Sequence, residues 1–354
     1  MGTRSPAGRP WTGRNGREPR SGEPARQSDI SKARWGGVLR RSVKQFKHDD
    51  LTDRAGALTY YGLLAIFPGM LVLVSILGLV GKSTTQKLLD NVQSIAPGGV
   101  SDFLRSVIEQ VQGKSGAASA AAIIGLVLGL WSASNYVASF MRASNAIYGV
   151  AEGRPIWKTA PVRLVVTFVL LVMLVMSAII VVVTGPIASQ IGQAFGIGDT
   201  LVLIWSIVKW PVLLIIVSLM LSLLYKASPN VKQPGFRWIT AGGIIAVVLW
   251  LIASGLFAAY VAFFGSYNKT YGSLATLIIF LVWLWITNIA ILLGAEFNAE
   301  TQRQRAIEAG MPEHLEPFAE LRDTRKLDVP EKRKAEEAER IRLAETSKDR
   351  GWRT

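Results

Sequence analysis

Apolar positions along this chain gather into six runs of about twenty residues or more, at 57–80, 117–140, 162–185, 201–225, 239–263 and 272–296, parted by short polar stretches. A run of ~20 apolar residues at a rise of 1.5 Å per residue matches the ~30 Å hydrocarbon core of a bilayer. Each run therefore predicts a membrane-spanning helix, the element that satisfies its own backbone hydrogen bonds in lipid. The pattern predicts an all-α integral membrane protein with six transmembrane helices.

The polar stretches supply the orientation. Loop 141–161 carries Arg142, Arg154 and Lys158, and loop 226–238 carries Lys226, Lys232 and Arg237. Loop 186–200 has no Lys or Arg, and loop 264–271 has only Lys269. Basic loops stay in the cytoplasm, so both termini are expected there. Loop 81–116 breaks the alternation with four basic residues. Leu88, Leu89, Val92 and Ile95, then Phe103, Leu104, Val107, Ile108 and Val111, predict two amphipathic helices in this first external loop. Such helices either cover the outer surface of the bundle or gate an opening in it.

Outside the runs the chain divides readily. Residues 1–30, rich in Arg, Gly, Pro and Ser, cannot bury enough apolar surface to offset chain entropy and read as a disordered basic arm. Residues 31–56 space Trp35, Val38, Leu39, Val43 and Phe46 as one helical face, predicting an amphipathic cytoplasmic or interfacial helix. The six-helix domain occupies 57–300, and 301–354 form a charged cytoplasmic tail. The first 50 residues hold no apolar stretch long enough for a cleavable signal, so the first span is expected to direct insertion.

The formal net charge of +14 fits this layout. Residues 1–56 and 297–354 each hold 13 Lys and Arg, flanking the spans where anionic lipid lies. Anionic membrane lipid at these basic tails is the expected partner, with a second copy of the chain as another candidate. Nucleic acid is not expected. The chain has no cysteine, which removes thiolate chemistry and disulfides. Its two histidines, His48 and His314, lie far apart outside the spans, unlike the clustered ligands of metal nucleases. No Walker loop is present. No enzymatic activity and no cofactor are expected.

Candidate chemistry then rests on polar and special residues inside the runs. Ala117, Ala121, Gly125, Gly129 and Ala133 recur every four residues, a ladder that lets two helix backbones approach closely. The same helix turns polar, with Ser132, Asn135, Ser139 and Arg142 on one face; Asn135 should point into the bundle or a wet cavity. In the first span Asp53 and Tyr60 share a face, as do Arg54 and Tyr61, and Pro68 should kink or break the helix. Lys209 is an ionisable residue well inside the fourth run, either functional or snorkelling between Trp205 and Trp210; Pro211 adds a second local break. Glu296 and Glu300 end the sixth run. The helix dipole disfavours acids there, so Glu296 is expected to pair with Arg54 or Arg142 as a clamp, while Arg303 is within reach of Glu300.

The segments "DRAGALTYYGLLAIFPGMLVLVSILGLVG" and "YNKTYGSLATLIIFLVWLWITNIAILLGAEFNAE" resemble the YihY/BrkB family of bacterial inner-membrane proteins over about residues 45–305. The resemblance implies six spans and the plasma membrane. An earlier label of this family, ribonuclease BN, is regarded as a misassignment. One member is associated with serum resistance, and transport of lipid-related solutes has been suggested. It implies no catalytic residue. The expected function is movement of a lipidic or amphipathic solute without ATP binding, with a non-transporting envelope scaffold as the alternative.

Overall fold

The computed structural model describes residues 32–79, 117–182, 199–233, 240–263 and 273–351. Among these residues are eight helices: α1 Lys32–His48, α2 Leu51–Leu79, α3 Ala117–Ile147, α4 Ile156–Val182, α5 Asp199–Ala227, α6 Ala241–Phe263, α7 Ser273–Glu308 and α8 Val329–Gly351. Among the described residues the only β-pairing is an isolated bridge between Val231 and Leu321.

Local chemistry sets the helix ends. Asp50, at φ +50°, makes the sharp turn from α1 into α2, a backbone region that Asp tolerates better than most residues. Gly149 (φ +60°) ends α3, with Gly149 N donating to Ala146 O and Val150 N to Asn145 O, each at 2.9 Å. Gly310 (φ +96°) ends α7 in the same way. Both are Schellman closures, where a residue without Cβ enters the left-handed region at no steric cost.

The six expected runs fall on α2 to α7. Among the described residues four helices are long and apolar enough to cross a membrane: Ile156–Val181, Leu203–Ala227, Ala241–Val261 and Leu277–Glu308. Neither proline ends its helix: α2 runs on past Pro68 and α5 past Pro211. The two amphipathic helices expected in 81–116 and the arm 1–30 lie outside the described residues.

Consecutive helices α2 to α7 pack side by side, and α7 returns to α2, so the six close into a ring. The core sits at one end of it. Leu51, Ala55 and Leu58 of α2, Val137 and Phe140 of α3, Val166 of α4, Leu221 and Leu224 of α5, Ala246 of α6, and Leu292, Ala295 and Ala299 of α7 form one buried cluster. Beyond that level, none of residues 60–66, 168–181, 203–217, 251–261 and 277–287 is buried. Among the described residues the ring is packed most closely at the end near the termini. Many large apolar side chains are exposed beyond that level, among them Phe168, Ile207 and Leu256.

Helix α1 does not rest on a membrane surface alone. Val38, Ser42 and Phe46 are buried against the bundle, mainly against α7. Nor does the tail after residue 300 hang free. Helix α7 continues through that expected boundary to Glu308, and residues 311–328 fold back across the loops 148–155 and 228–233.

Candidate functional site at the packed end of the ring

The stretch "LLGAEFNAE" of α7 supplies most of this site. Gly294 meets Gly242 of α6 backbone to backbone. A Cβ added at either glycine would overlap the other's carbonyl oxygen, and one at Gly294 would also lie 2.6 Å from Tyr225 Oη. Tyr225 of α5 uses this closeness, donating to Ile291 O at 2.8 Å. One turn on, Asn298 Oδ1 accepts from Gly242 N at 2.9 Å, satisfying a donor at the start of α6 that has no partner within its own helix. Thr240 accepts from Gly243 N as the N-cap of α6, and Asn298 Nδ2 donates to the same hydroxyl.

On its other side α7 is tied to α2 and α3 by a short polar chain. Tyr136 Oη donates to Asn288 Oδ1 (2.9 Å), Asn288 Nδ2 to Thr59 Oγ1 (3.1 Å), and Thr59 Oγ1 to Ala55 O (2.8 Å). Asn288 is fully buried, and a buried amide costs free energy unless paired as it is here.

Glu300 and Glu296, one turn apart, have opposite fates. Glu300 Oε2 accepts from Arg41 Nε of α1 at 2.9 Å, and Arg303 approaches its other oxygen at 3.6 Å. Arg41 also donates to Gln304 Oε1 (2.5 Å), and Trp35 stacks on Phe297 at 5.7 Å. The ion pair that holds helices together at this end thus runs between Glu300 and α1. The expected pair from Glu296 to Arg54 or Arg142 is not formed. Arg54 Nε donates to Asp49 O at 3.0 Å, and Arg142 is exposed. Glu296 has no exposed surface, and neither carboxyl oxygen has a hydrogen-bond partner among the described residues. Asp49, Glu300 and Arg303 are its charged neighbours.

The remaining candidates are scattered. Asp53 and Tyr60 are both exposed on α2, with Tyr60 edge-on to Tyr61 at 5.3 Å. Asn135 is half-buried, but the face it was expected to share is not uniform: Ser139 is buried while Arg142 is exposed. Gly129 and Ala133 of the ladder are buried, and α2 is the neighbour α3 packs against most extensively; the surroundings of Ala121 and Gly125 lie outside the described residues. Lys209 Nζ lies 5.4 Å from the ring of its exposed neighbour Trp210.

The loops beneath the ring hold contacts that spacing along the chain does not reveal. Asn230 is fully buried; its side chain donates to Ala151 O (3.2 Å) and Asp323 O (2.9 Å) and accepts from Asp323 N (3.2 Å), while its own N donates to Asn145 Oδ1 (2.7 Å). Arg154 lies between Glu152 and Ser228 O, at 2.7 Å from each. Burial alone would raise the Glu152 carboxyl, but the Arg154 hydrogen bonds and charge hold it below the usual glutamate range. Lys158 donates to Asp323 Oδ2 at 2.7 Å; this bond and one from Arg325 N hold Asp323 below the usual aspartate range. Among the described residues no three His, Asp or Glu side chains gather to hold a metal ion.

A family model described as "Virulence factor BrkB" matches residues 42–317. The chain is 28% identical over 266 residues to a Bacillus subtilis protein named ribonuclease-like protein YfkH, covering 74% of this chain and 94% of that one. It is 29% identical over 258 residues to a UPF0761 membrane protein of Halorhodospira halophila, covering 72% of this chain but 54% of that protein. A UPF0761 membrane protein of Aggregatibacter aphrophilus matches at 29% over 259 residues, covering 72% and 88%. No solved structure matches.

Proposed function

Because the chain belongs to the Virulence factor BrkB family of membrane proteins, we propose that it is a six-span protein of the bacterial cell membrane, with both termini cytoplasmic, that moves a lipidic or amphipathic solute across or within the bilayer. The observation that carries this reading is the asymmetry of the ring. Six helices close laterally, and among the described residues the buried core lies at the end near the termini. A bundle evolved only to pack would bury side chains along its whole length; one that admits a solute from the opposite side or from lipid needs a seal at one end and looser packing beyond it. The seal is formed by the Gly242–Gly294 contact, the Asn288 chain and the Arg41–Glu300 pair. Anionic lipid is the proposed neighbour of the exposed basic face of α1, where Arg40, Lys44 and Lys47 lie beside Leu39 and Val43.

The test is reconstitution into liposomes that carry a fluorescent phospholipid quenched only from outside. Transbilayer exchange should exceed that of empty liposomes and of liposomes bearing an unrelated six-span protein. Equal rates in all three would leave the second reading, an envelope scaffold. That reading draws on the charged helix α8, which lies beyond the family match.

A further inference from the structure

Residues 311–328 cross the packed end of the ring as a strap. Lys326 N donates to Gly153 O at 3.0 Å and Lys158 Nζ to Asp323 Oδ2 at 2.7 Å, which ties the strap to the hairpin of α3 and α4. Arg322 N donates to Asn230 O at 3.0 Å and Lys232 N to Glu320 O at 2.7 Å, which ties it to the hairpin of α5 and α6. Two direct bonds also join the hairpins, Arg154 Nη2 to Ser228 O and Asn230 N to Asn145 Oδ1, each at 2.7 Å. Asn230 is held in place for the second by its side-chain bonds to the Asp323 backbone.

The strap is anchored mainly by polar contacts. Lys158 is 44% exposed and Lys232, paired with Glu320, 58%. Ion pairs with an exposed partner contribute little in water. The large apolar side chains that the strap buries are Met311, Phe318 and Leu327. The contacts that seal the ring itself, namely Gly242–Gly294, the Asn288 chain and Arg41–Glu300, use none of residues 311–328. A surface segment held by polar contacts opens at lower free energy than the core beneath it. The strap can therefore leave while the helices stay folded.

Its departure reaches into the ring. Val137, Phe140 and Ser144 of α3, and Tyr148 just past its end, are spaced by three or four residues and share one helix face. Phe140 stacks on Tyr225 of α5 with ring centroids 6.1 Å apart, and Tyr148 stacks on Phe318 of the strap at 5.6 Å. Gln233 Nε2 donates to both Tyr148 Oη and Tyr225 O, each at 3.1 Å. Contact between the hairpins thus runs without a break from Phe318 through Tyr148, Gln233 and Tyr225 to Phe140 in the core.

We propose that residues 311–328 are a releasable latch. Docked, they hold the α3–α4 hairpin against the α5–α6 hairpin; released, they let the two part at the packed end. The latch as a control of transport rests on the proposed function, because a solute that crosses the bilayer needs this end to open.

The experiment places single cysteines in the cysteine-free full chain, purified in detergent, and follows their labelling by a water-soluble maleimide. Ser144→Cys and Val137→Cys lie two turns apart on the same face of α3, about 10 Å at helical rise, and both positions are buried. Phe318→Ala with Asp323→Ala releases the latch from its own side. Labelling of Val137→Cys should then rise about tenfold or more, the loss of one charge-assisted hydrogen bond from the docked state, while the melting temperature stays near that of the unaltered chain. A rise confined to Ser144→Cys overturns the latch, because the strap then covers this end without holding it shut. Unchanged labelling at both positions overturns it too. Should the double substitution unfold the chain, Lys158→Gln decides, since it removes one exposed partner of Asp323. A rise of about threefold at Val137→Cys then supports the latch, and no rise overturns it. In liposomes the released chain should exchange the fluorescent phospholipid faster than the unaltered chain. Exchange that is present but no faster on release overturns the latch as a control of transport. Faster labelling of Val137→Cys with no exchange in either chain keeps the latch and removes the transport reading.

Discussion

Arg41 Nε donates to Glu300 Oε2 at 2.9 Å, joining α1 to the end of α7 across 259 residues of chain. Glu300 is almost fully buried and Arg41 about one-third exposed. Breaking a buried pair by removing one partner strands the other charge at ~3–5 kcal/mol, and the exposure of Arg41 and the presence of Arg303 reduce this to roughly 1–3 kcal/mol. Arg41→Gln and Glu300→Gln should each lower detergent melting temperature, and the double variant should lose less than their sum. Additive losses in a double-mutant cycle would show that the two side chains do not interact.

Glu296 should behave in the opposite way. Among the described residues it is buried without a partner, so its carboxyl contributes desolvation cost and no ion pair. Glu296→Met, similar in volume, should keep or raise the melting temperature. A strong loss of stability would restore the clamp that the sequence alone suggests.

The contact between Gly242 and Gly294 predicts a contrast among glycines. Gly294→Ala drives a Cβ into backbone and into Tyr225 Oη, and should cost folded yield and stability. Gly56→Ala in α2 has nothing within 4 Å of the new Cβ and should stabilise by about 0.5–1 kcal/mol through helix propensity. Equal melting temperatures for the two variants would contradict the close crossing of α6 and α7.

Asn230 and Asp323 hold residues 311–328 against the loops. Asn230→Ala removes three side-chain hydrogen bonds, each worth ~0.5–1.5 kcal/mol net, and should expose the tail to protease while the ring stays intact. Asp323 and Glu152 are both held below their usual values, so their contribution is present above about pH 4 and lost as pH falls through the lower folded values. Cleavage of the tail by pepsin should therefore rise only below about pH 4. In Asp323→Asn the acid-dependent rise should be smaller.

Orientation is tested with single cysteines, which the cysteine-free chain permits. Ser228 is unsuitable, because it is fully buried and would resist labelling from either side. Lys44 and Lys334 are exposed on the side of the packed end. In intact cells Lys44→Cys and Lys334→Cys should stay unlabelled by an impermeant thiol reagent, and Asn268→Cys, between α6 and α7 in the chain, should react. The reverse pattern would invert the topology.

The sequence by itself determined the helices, because ~20-residue apolar runs and their basic flanks act through local length and charge, which need no partner. It also marked "LLGAEFNAE" as the place where polar groups leave the apolar run, and Glu300 with Arg303 as an available pair. Asn288 was legible in the same way as Asn135, as an amide inside an apolar run. Which glutamate is paired was decided only by tertiary structure. Glu296 and Glu300 are one helical turn apart and chemically alike; packing α1 onto α7 brings Arg41 to Glu300 and leaves Glu296 enclosed. The role of Gly294 likewise depends on where α6 crosses α7, and that of Asn230 on a tail 93 residues away. Periodicity reports which residues leave water, whereas the partner each one meets follows from how the helices close into a ring.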